Sequence, residues 1–154
     1  MKYVDFLAKV YWRRKTVDVQ TIDGINILQA TMLAMEQAVL SLSKRPDFVL
    51  VDGNRVPSGL NPKNIKPIIK GDSKCYSIAA ASVIAKVTRD RIMDTLHVQY
   101  PMYNFASHRG YGVPEHVRLI RKYGPCPAHR RSFKPVKEWF PVELEHTDDK
   151  LDNN

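Results

Sequence analysis

The chain has 154 residues, 44% of them hydrophobic and 26% charged, which fits one globular domain with room for a sizeable core. Its formal net charge of +8 favours an anionic partner, and no uncharged run is long enough to span a bilayer, so no membrane association is expected. Cys75 and Cys126 stand far apart, and Asp5 and Lys9 interrupt the only apolar patch near the start; neither a disulfide scaffold nor a signal peptide is read, and a reducing cytoplasm is expected.

Val4 to Trp12 reads as a short strand or helix, followed by Arg13-Arg14-Lys15. From Asp23, taken as an N-cap, apolar positions Ile27, Leu28, Met35, Ala38, Val39 and Leu42 recur at helical spacing, and the helix should stop near Ser43, ahead of Arg45-Pro46. Phe48 to Val51 has the composition of a buried strand. Ile65 to Ile69 is a second strand, which Pro67 assigns to an edge. Tyr76 to Val98 reads as a long helix with apolar positions Ile78, Val83, Ile84, Val87, Met93 and Leu96. Pro114 opens a further helix over His116 to Lys122, which Gly124 closes. The rest, around Pro125 and Pro127 and on to Phe140, is loop-like. Two strands among several helices make an α/β inventory short of strands for a free-standing sheet.

Charge is unevenly spread. Between Ala106 and Lys137 eight basic residues face Glu115 alone, and from Glu138 onward acidic residues dominate. Tyr103, Phe105, Tyr111, Tyr123 and Phe133 are interleaved with the basic block, a pattern suited to stacking on bases or sugars while Arg and Lys hold phosphates. The acidic end reads as a disordered tail.

Two carboxylates carry the chemical interest. Asp52 ends the Val49-Leu50-Val51 run, at the strand end where open α/β sheets place ligands, although an Asp-Gly turn would explain it as well. Asp72 stands at the mouth of the long helix beside Lys70-Gly71 and Lys74, in a place where a capping role for Asp72 or Ser73 is the plain alternative. Acids at the ends of adjacent strands can share a cation, and phosphoryl-transfer sites often pair two metals about 3.5–4 Å apart. His108, His116, His129 and Cys126 lack the paired spacing of a structural zinc site, and surface histidines are the simplest reading. Tyr111, between Gly110 and Gly112, is either a ring cleared for a flat ligand or a core tyrosine at a turn.

The segments I-N-I-L-Q-A-T-M-L-A-M (25–35), V-L-V-D-G-N (49–54), K-G-D-S-K (70–74), A-A-S-V-I-A-K-V-T-R-D (80–90), H-R-G-Y-G (108–112) and H-R-R-S-F-K-P-V (129–136) together resemble bacterial ribonuclease HII, in family order and with compatible spacing. The resemblance implies a ribonuclease H-like fold and a Mg²⁺- or Mn²⁺-dependent endonuclease acting on RNA in RNA–DNA hybrids and at single ribonucleotides in duplex DNA, as a monomer. It implies that Asp52 and Asp72 correspond to the third and fourth of the family's four catalytic carboxylates and serve as metal ligands. It makes Tyr111 the residue that packs on the sugar at the RNA–DNA junction. Arg109 replaces the lysine of that motif and, with Lys70, is expected to meet phosphate; Asp90 is a supporting residue.

The family's Asp-Glu-Val-Gly-Arg-Gly segment, with the first two carboxylates, and its Asn-Asp-Ser-Lys motif have no counterpart in the sequence. The chain therefore reads as an incomplete ribonuclease H-like fold with N-terminal sheet strands missing through truncation, frameshift or a misassigned start. Residues 1–16 are unmatched, 17–137 form a partial ribonuclease HII domain, and 138–154 an acidic tail. An open sheet edge, an exposed apolar face between Ile25 and Leu42, and impaired cleavage are the expected consequences. A non-catalytic basic nucleic-acid binder and a non-functional remnant are the alternatives.

Overall fold

A pair of short parallel strands and one long helix set the geometry of the chain, which a computed structural model describes over residues 15–141. The sequence expectations for Val4 to Trp12, and for all but the first residues of the acidic tail, lie outside that range. In order come α1 (Val19–Leu40), β1 (Val49–Asp52), β2 (Ile65–Ile68), α2 (Tyr76–Gln99), α3 (Phe105–His108), α4 (Pro114–Tyr123) and α5 (Lys134–Trp139), with single 3-10 turns at Pro62–Asn64, Gly71–Ser73 and Pro101–Tyr103. The α/β class read from the sequence is what the chain adopts.

α1 starts at Asp18, not Asp23: the Asp18 carboxylate accepts the Thr21 N–H at 2.7 Å. It is two helical segments broken at Asn26, whose backbone is non-helical (φ 67°, ψ 164°). The Asn26 side-chain oxygen accepts from Leu28 N at 3.0 Å and Gln29 N at 3.1 Å, capping the second segment. Ile25, Ile27, Leu28 and Leu40 are exposed, whereas Met35, Ala38, Val39 and Leu42 are half-buried, so the apolar face expected to be exposed is only partly so.

β1 and β2 pair in parallel, Val49 opposite Ile65 and Asp52 opposite Ile68, and form the only sheet among the described residues. Val51 and Ile65 are buried while Leu50 is exposed, so one face of the sheet is covered and the other open. Pro67 lacks an N–H for the ladder and sits in a two-stranded sheet, where every strand is an edge. The crossover is tied back to α1 by Gly59 N–H donating to a Glu36 carboxylate oxygen at 3.1 Å.

Ile78 anchors α2 against the sheet. Val83 and Val87, expected on its core side, are exposed instead; they form an i, i+4 apolar pair with nothing packed over it among the described residues. The denser core lies beyond the far end of α2. There Tyr103, Phe105 and Cys126 pack together with Met93, Leu96, Tyr100, Leu119 and Ala128, and Ile120 and Val136 are fully enclosed nearby. α4 carries Pro at its start, Glu115 in the first turn, Arg121 and Lys122 in the last, and ends at Gly124 with φ 75°. The stretch expected to be loop up to Phe140 contains the short helix α5.

Candidate active site and substrate-facing turn

Parallel pairing puts the carboxyl ends of β1 and β2 side by side, and the chain leaves both there. Asp52 is the last residue of β1, and the turn after β2 delivers Gly71 to it: the Gly71 N–H donates to the Asp52 carboxylate at 2.8 Å. Asp72 is the next residue. Gly71 is buried, and a Cβ there would come within 2.6 Å of Ile78 Cδ1 but only within ordinary contact of Asp52 Oδ1 at 3.4 Å, so glycine permits this turn to pack closely on Ile78 of the following helix. Lys70, just before it, holds a left-handed backbone (φ 55°, ψ 46°) that swings the turn over the strand end.

Asp72 does not cap α2. The N-cap is Cys75, with no side-chain bond, and Asp72 accepts only from the Ser73 N–H at 2.9 Å. Both carboxylates are exposed, each oriented by one backbone N–H. Lys70 is exposed, while Lys74 donates its ammonium to the Ile69 carbonyl at 2.8 Å. Among the described residues no group of three or more His, Cys, Asp or Glu side chains is arranged to hold a metal ion, which includes the histidines and Cys126.

Tyr111 is on a separate turn packed beside α2 around Arg89 and Met93, roughly 17 to 22 Å along the helix axis from Ile78 at 1.5 Å per residue. The residue is 59% exposed, which rules out the core-tyrosine reading. The Arg89 guanidinium lies 4.2 Å from the ring centroid and also donates to the Arg109 carbonyl at 2.9 Å. The neighbouring glycines do not clear space around the ring. Gly110, at φ 74°, lets the turn approach Met93, and Gly112 packs on Phe133, where a Cβ would come within 3.1 Å of the ring. Arg109 donates to Asp94 and, at 3.0 Å, to the Asp90 carbonyl, so its guanidinium fastens this turn to α2. Asp90 pairs with Lys86 at 2.8 Å, and that bond leads the lowering of its pKa.

Beneath the Tyr111 turn the three histidines come together, and none is a surface residue: His108, His116 and His129 are all buried. Hydrogen bonding fixes each ring's proton. The Gly110 N–H can only donate, so His108 accepts on Nδ1 (3.2 Å) and donates from Nε2 to the Tyr103 carbonyl (2.7 Å). The Cys126 N–H likewise makes His129 Nδ1 an acceptor (3.0 Å), leaving the proton on Nε2. The Tyr111 carbonyl can only accept, so His116 donates from Nδ1 (2.9 Å) and takes the His129 Nε2–H on its own Nε2 (3.0 Å). His108 and His116 stack with ring centroids 4.2 Å apart. Burial foremost pushes His129 down to about 4, with the neighbouring His116 adding to it, and burial lowers His116 in the same direction. Burial also raises the Cys126 thiol.

Two of the aromatic residues read as stacking platforms are core instead: Tyr103 and Phe105 are buried, and the Tyr103 hydroxyl donates to the Gly124 carbonyl at 2.7 Å. Tyr111 and Tyr123 remain exposed. Sequence reasoning also missed Asp23, whose carboxylate accepts from Arg131 N at 2.7 Å and Ser132 N at 3.0 Å, tying the first helix to the H-R-R-S-F segment. Burial raises the Asp23 pKa, but the bonds from Ser132 and Arg131 outweigh it and the net shift is downward.

The sequence model of the family described as Ribonuclease HII matches residues 3–136, so the match begins within the first 16 residues that the sequence reading set apart. The chain is 47% identical over 128 residues to a Ribonuclease HII of Bordetella pertussis, covering 83% of this chain and 63% of that protein. It is 51% identical over 128 residues to a Ribonuclease HII of Idiomarina loihiensis, covering 83% and 67% respectively. The fold matches the ribonuclease H2 from Pyrococcus horikoshii OT3 with a TM-score of 0.62 at 24% identity, covering 79% of this chain and 64% of that one. The chain thus spans about 63% of the length of the Bordetella relative. With its matched residues reaching from one end of the described fold almost to the other, the chain belongs to the ribonuclease HII family.

Proposed function

We propose that this chain carries ribonuclease HII-type endonuclease chemistry: Mg²⁺- or Mn²⁺-dependent hydrolysis of the RNA strand in RNA–DNA hybrids and at ribonucleotides embedded in duplex DNA. Residues 17–137 are its working part, 138–154 an acidic tail, and it acts as a cytoplasmic monomer. Asp52 and Asp72 would hold the cation, Tyr111 the sugar at the junction, and Lys70 a phosphate; Arg109 acts by fixing the Tyr111 turn through Asp94. The observation that carries this reading is the Gly71 N–H bond to Asp52, which makes Asp52 and Asp72 neighbours at one end of the sheet.

Two exposed carboxylates suit a hard cation that keeps several waters and completes its shell with substrate phosphate oxygen. When bound, the cation would supply Lewis-acid stabilisation of charge on the scissile phosphate. The chain's own part is to orient both carboxylates through the Gly71 and Ser73 N–H groups and to offer the Tyr111 face. A second bridged ion would need further carboxylates, and no such group exists among the described residues. Cleavage by the chain as it stands should accordingly be slow.

The test is cleavage of a duplex containing one ribonucleotide, with Mn²⁺ or Mg²⁺, by this chain and its Asp52→Asn variant. Slow, metal-dependent cutting that vanishes in the variant is expected. Cutting indifferent to Asp52 would overturn the assignment. Salt-sensitive binding without any cutting would leave the non-catalytic binder, a reading favoured by the lone carboxylate pair.

A further inference from the structure

The histidine stack takes no part in the chemistry just described, yet it ends on the backbone of the residue that meets substrate. Tyr111 has three backbone restraints: its N–H donates to the His108 carbonyl at 2.9 Å, and its carbonyl accepts from Val113 N at 2.9 Å and from His116 Nδ1 at 2.9 Å. The last of these depends on which nitrogen of His116 carries the proton. That choice is made elsewhere, because His129 presents an Nε2–H to His116 Nε2, and His129 is itself locked by the Cys126 N–H. A continuous line of donors runs from the Cys126 backbone through two rings to the Tyr111 backbone.

We propose that His116 and His129 are positioning residues for substrate binding, holding the turn that presents Tyr111 by fixing a single imidazole tautomer at its carbonyl. The inference rests on the reading of Tyr111 as a substrate contact. A fully satisfied buried network is rigid, and here the rigidity is delivered to one exposed aromatic ring. All six ring nitrogens of the three histidines are bonded within the protein, so the stack reaches substrate through the backbone geometry of the Tyr111 turn and offers it no free ring nitrogen.

The experiment measures affinity for a duplex containing one ribonucleotide, by fluorescence anisotropy in EDTA, for the wild-type chain, Tyr111→Ala, His116→Asn and His116→Gln. The Asn amide can stand in for Nδ1–H and keep the bond to Tyr111, whereas the Gln amide reaches the Nε2 side and loses it. Tyr111→Ala and His116→Gln should each weaken binding about tenfold, the scale of one aromatic stacking contact, while His116→Asn stays near wild type. The salt dependence should be the same in all, because no phosphate contact is removed. Retained affinity in His116→Gln, or equal losses in His116→Gln and His116→Asn, would overturn the inference. An unchanged affinity in Tyr111→Ala would overturn the substrate role of Tyr111 as well. If the variants fail to fold, ¹⁵N spectra of the wild-type histidines decide: His116 protonated on Nδ1 supports the proposal, and His116 protonated on Nε2 refutes it.

Discussion

The two ends of α2 are built differently. At its start, Asp52 and Asp72 are exposed, each held by one backbone N–H, beside a two-stranded sheet with Leu50 uncovered and a helix with Val83 and Val87 uncovered. Near its end, Tyr111 stands on three buried rings with every ring nitrogen paired, over a core that includes Tyr103, Phe105 and Cys126. The second region is complete within the described residues. The first is open, with Leu50, Val83 and Val87 exposed around it. The turn proposed to meet substrate and the proposed cation-holding pair should therefore respond separately to perturbation.

The largest effect should come from breaking the buried network. His129→Ala leaves a cavity and removes the partners of the Cys126 N–H and His116 Nε2, costing about 3 kcal/mol or more, read by denaturant unfolding. If the loss is under about 1 kcal/mol, the claim that this half is self-contained fails. The wild-type chain should also lose stability in acid. His129 is neutral in the folded state with its pKa near 4, below the ordinary 6.5, so the unfolded chain binds the proton first. Stability is full above about pH 6.5 and declines as the pH falls towards 4, by about 2 kcal/mol at pH 5, with His116 adding to the same trend. A His129→Phe variant should flatten that slope. A smaller effect belongs to Asp23→Ala, which frees the Arg131 and Ser132 N–H groups and should cost about 1–2 kcal/mol, with Asp23→Asn recovering part of it. Smallest of all, Lys86→Ala breaks an exposed i, i+4 pair and should shift stability by less than about 0.5 kcal/mol.

Much of the sheet end was legible. A β-branched run ending in Asp-Gly, a Pro-containing strand and a Lys-Gly-Asp turn before a long helix are local signals, and they locate β1, β2 and α2 within a residue or two. What escaped the sequence is long-range. Asp23 looks like an N-cap because it precedes an apolar-periodic stretch, yet its partners lie more than a hundred residues away. The break at Asn26 falls in a stretch of middling and weak helix formers, Thr21 to Ile27, ahead of the better ones that begin at Leu28, so the sequence blurs a break with a slow start. Tyr103 and Phe105 share the composition of a nucleic-acid surface but turn inward, and no periodicity in so short an element marks the buried side. The histidines look scattered because their separations match no ligand spacing; four separate backbone groups hold them together in space.

The central claim is that Asp52 and Asp72 form one cation site, and Mn²⁺ titration followed by amide NMR tests it without requiring turnover. Substoichiometric Mn²⁺ should selectively broaden the amides of Gly53, Gly71, Asp72 and Ser73, and Asp52→Asn should abolish the effect while leaving the fold intact. Broadening absent from these amides, or unchanged in Asp52→Asn, would contradict the account.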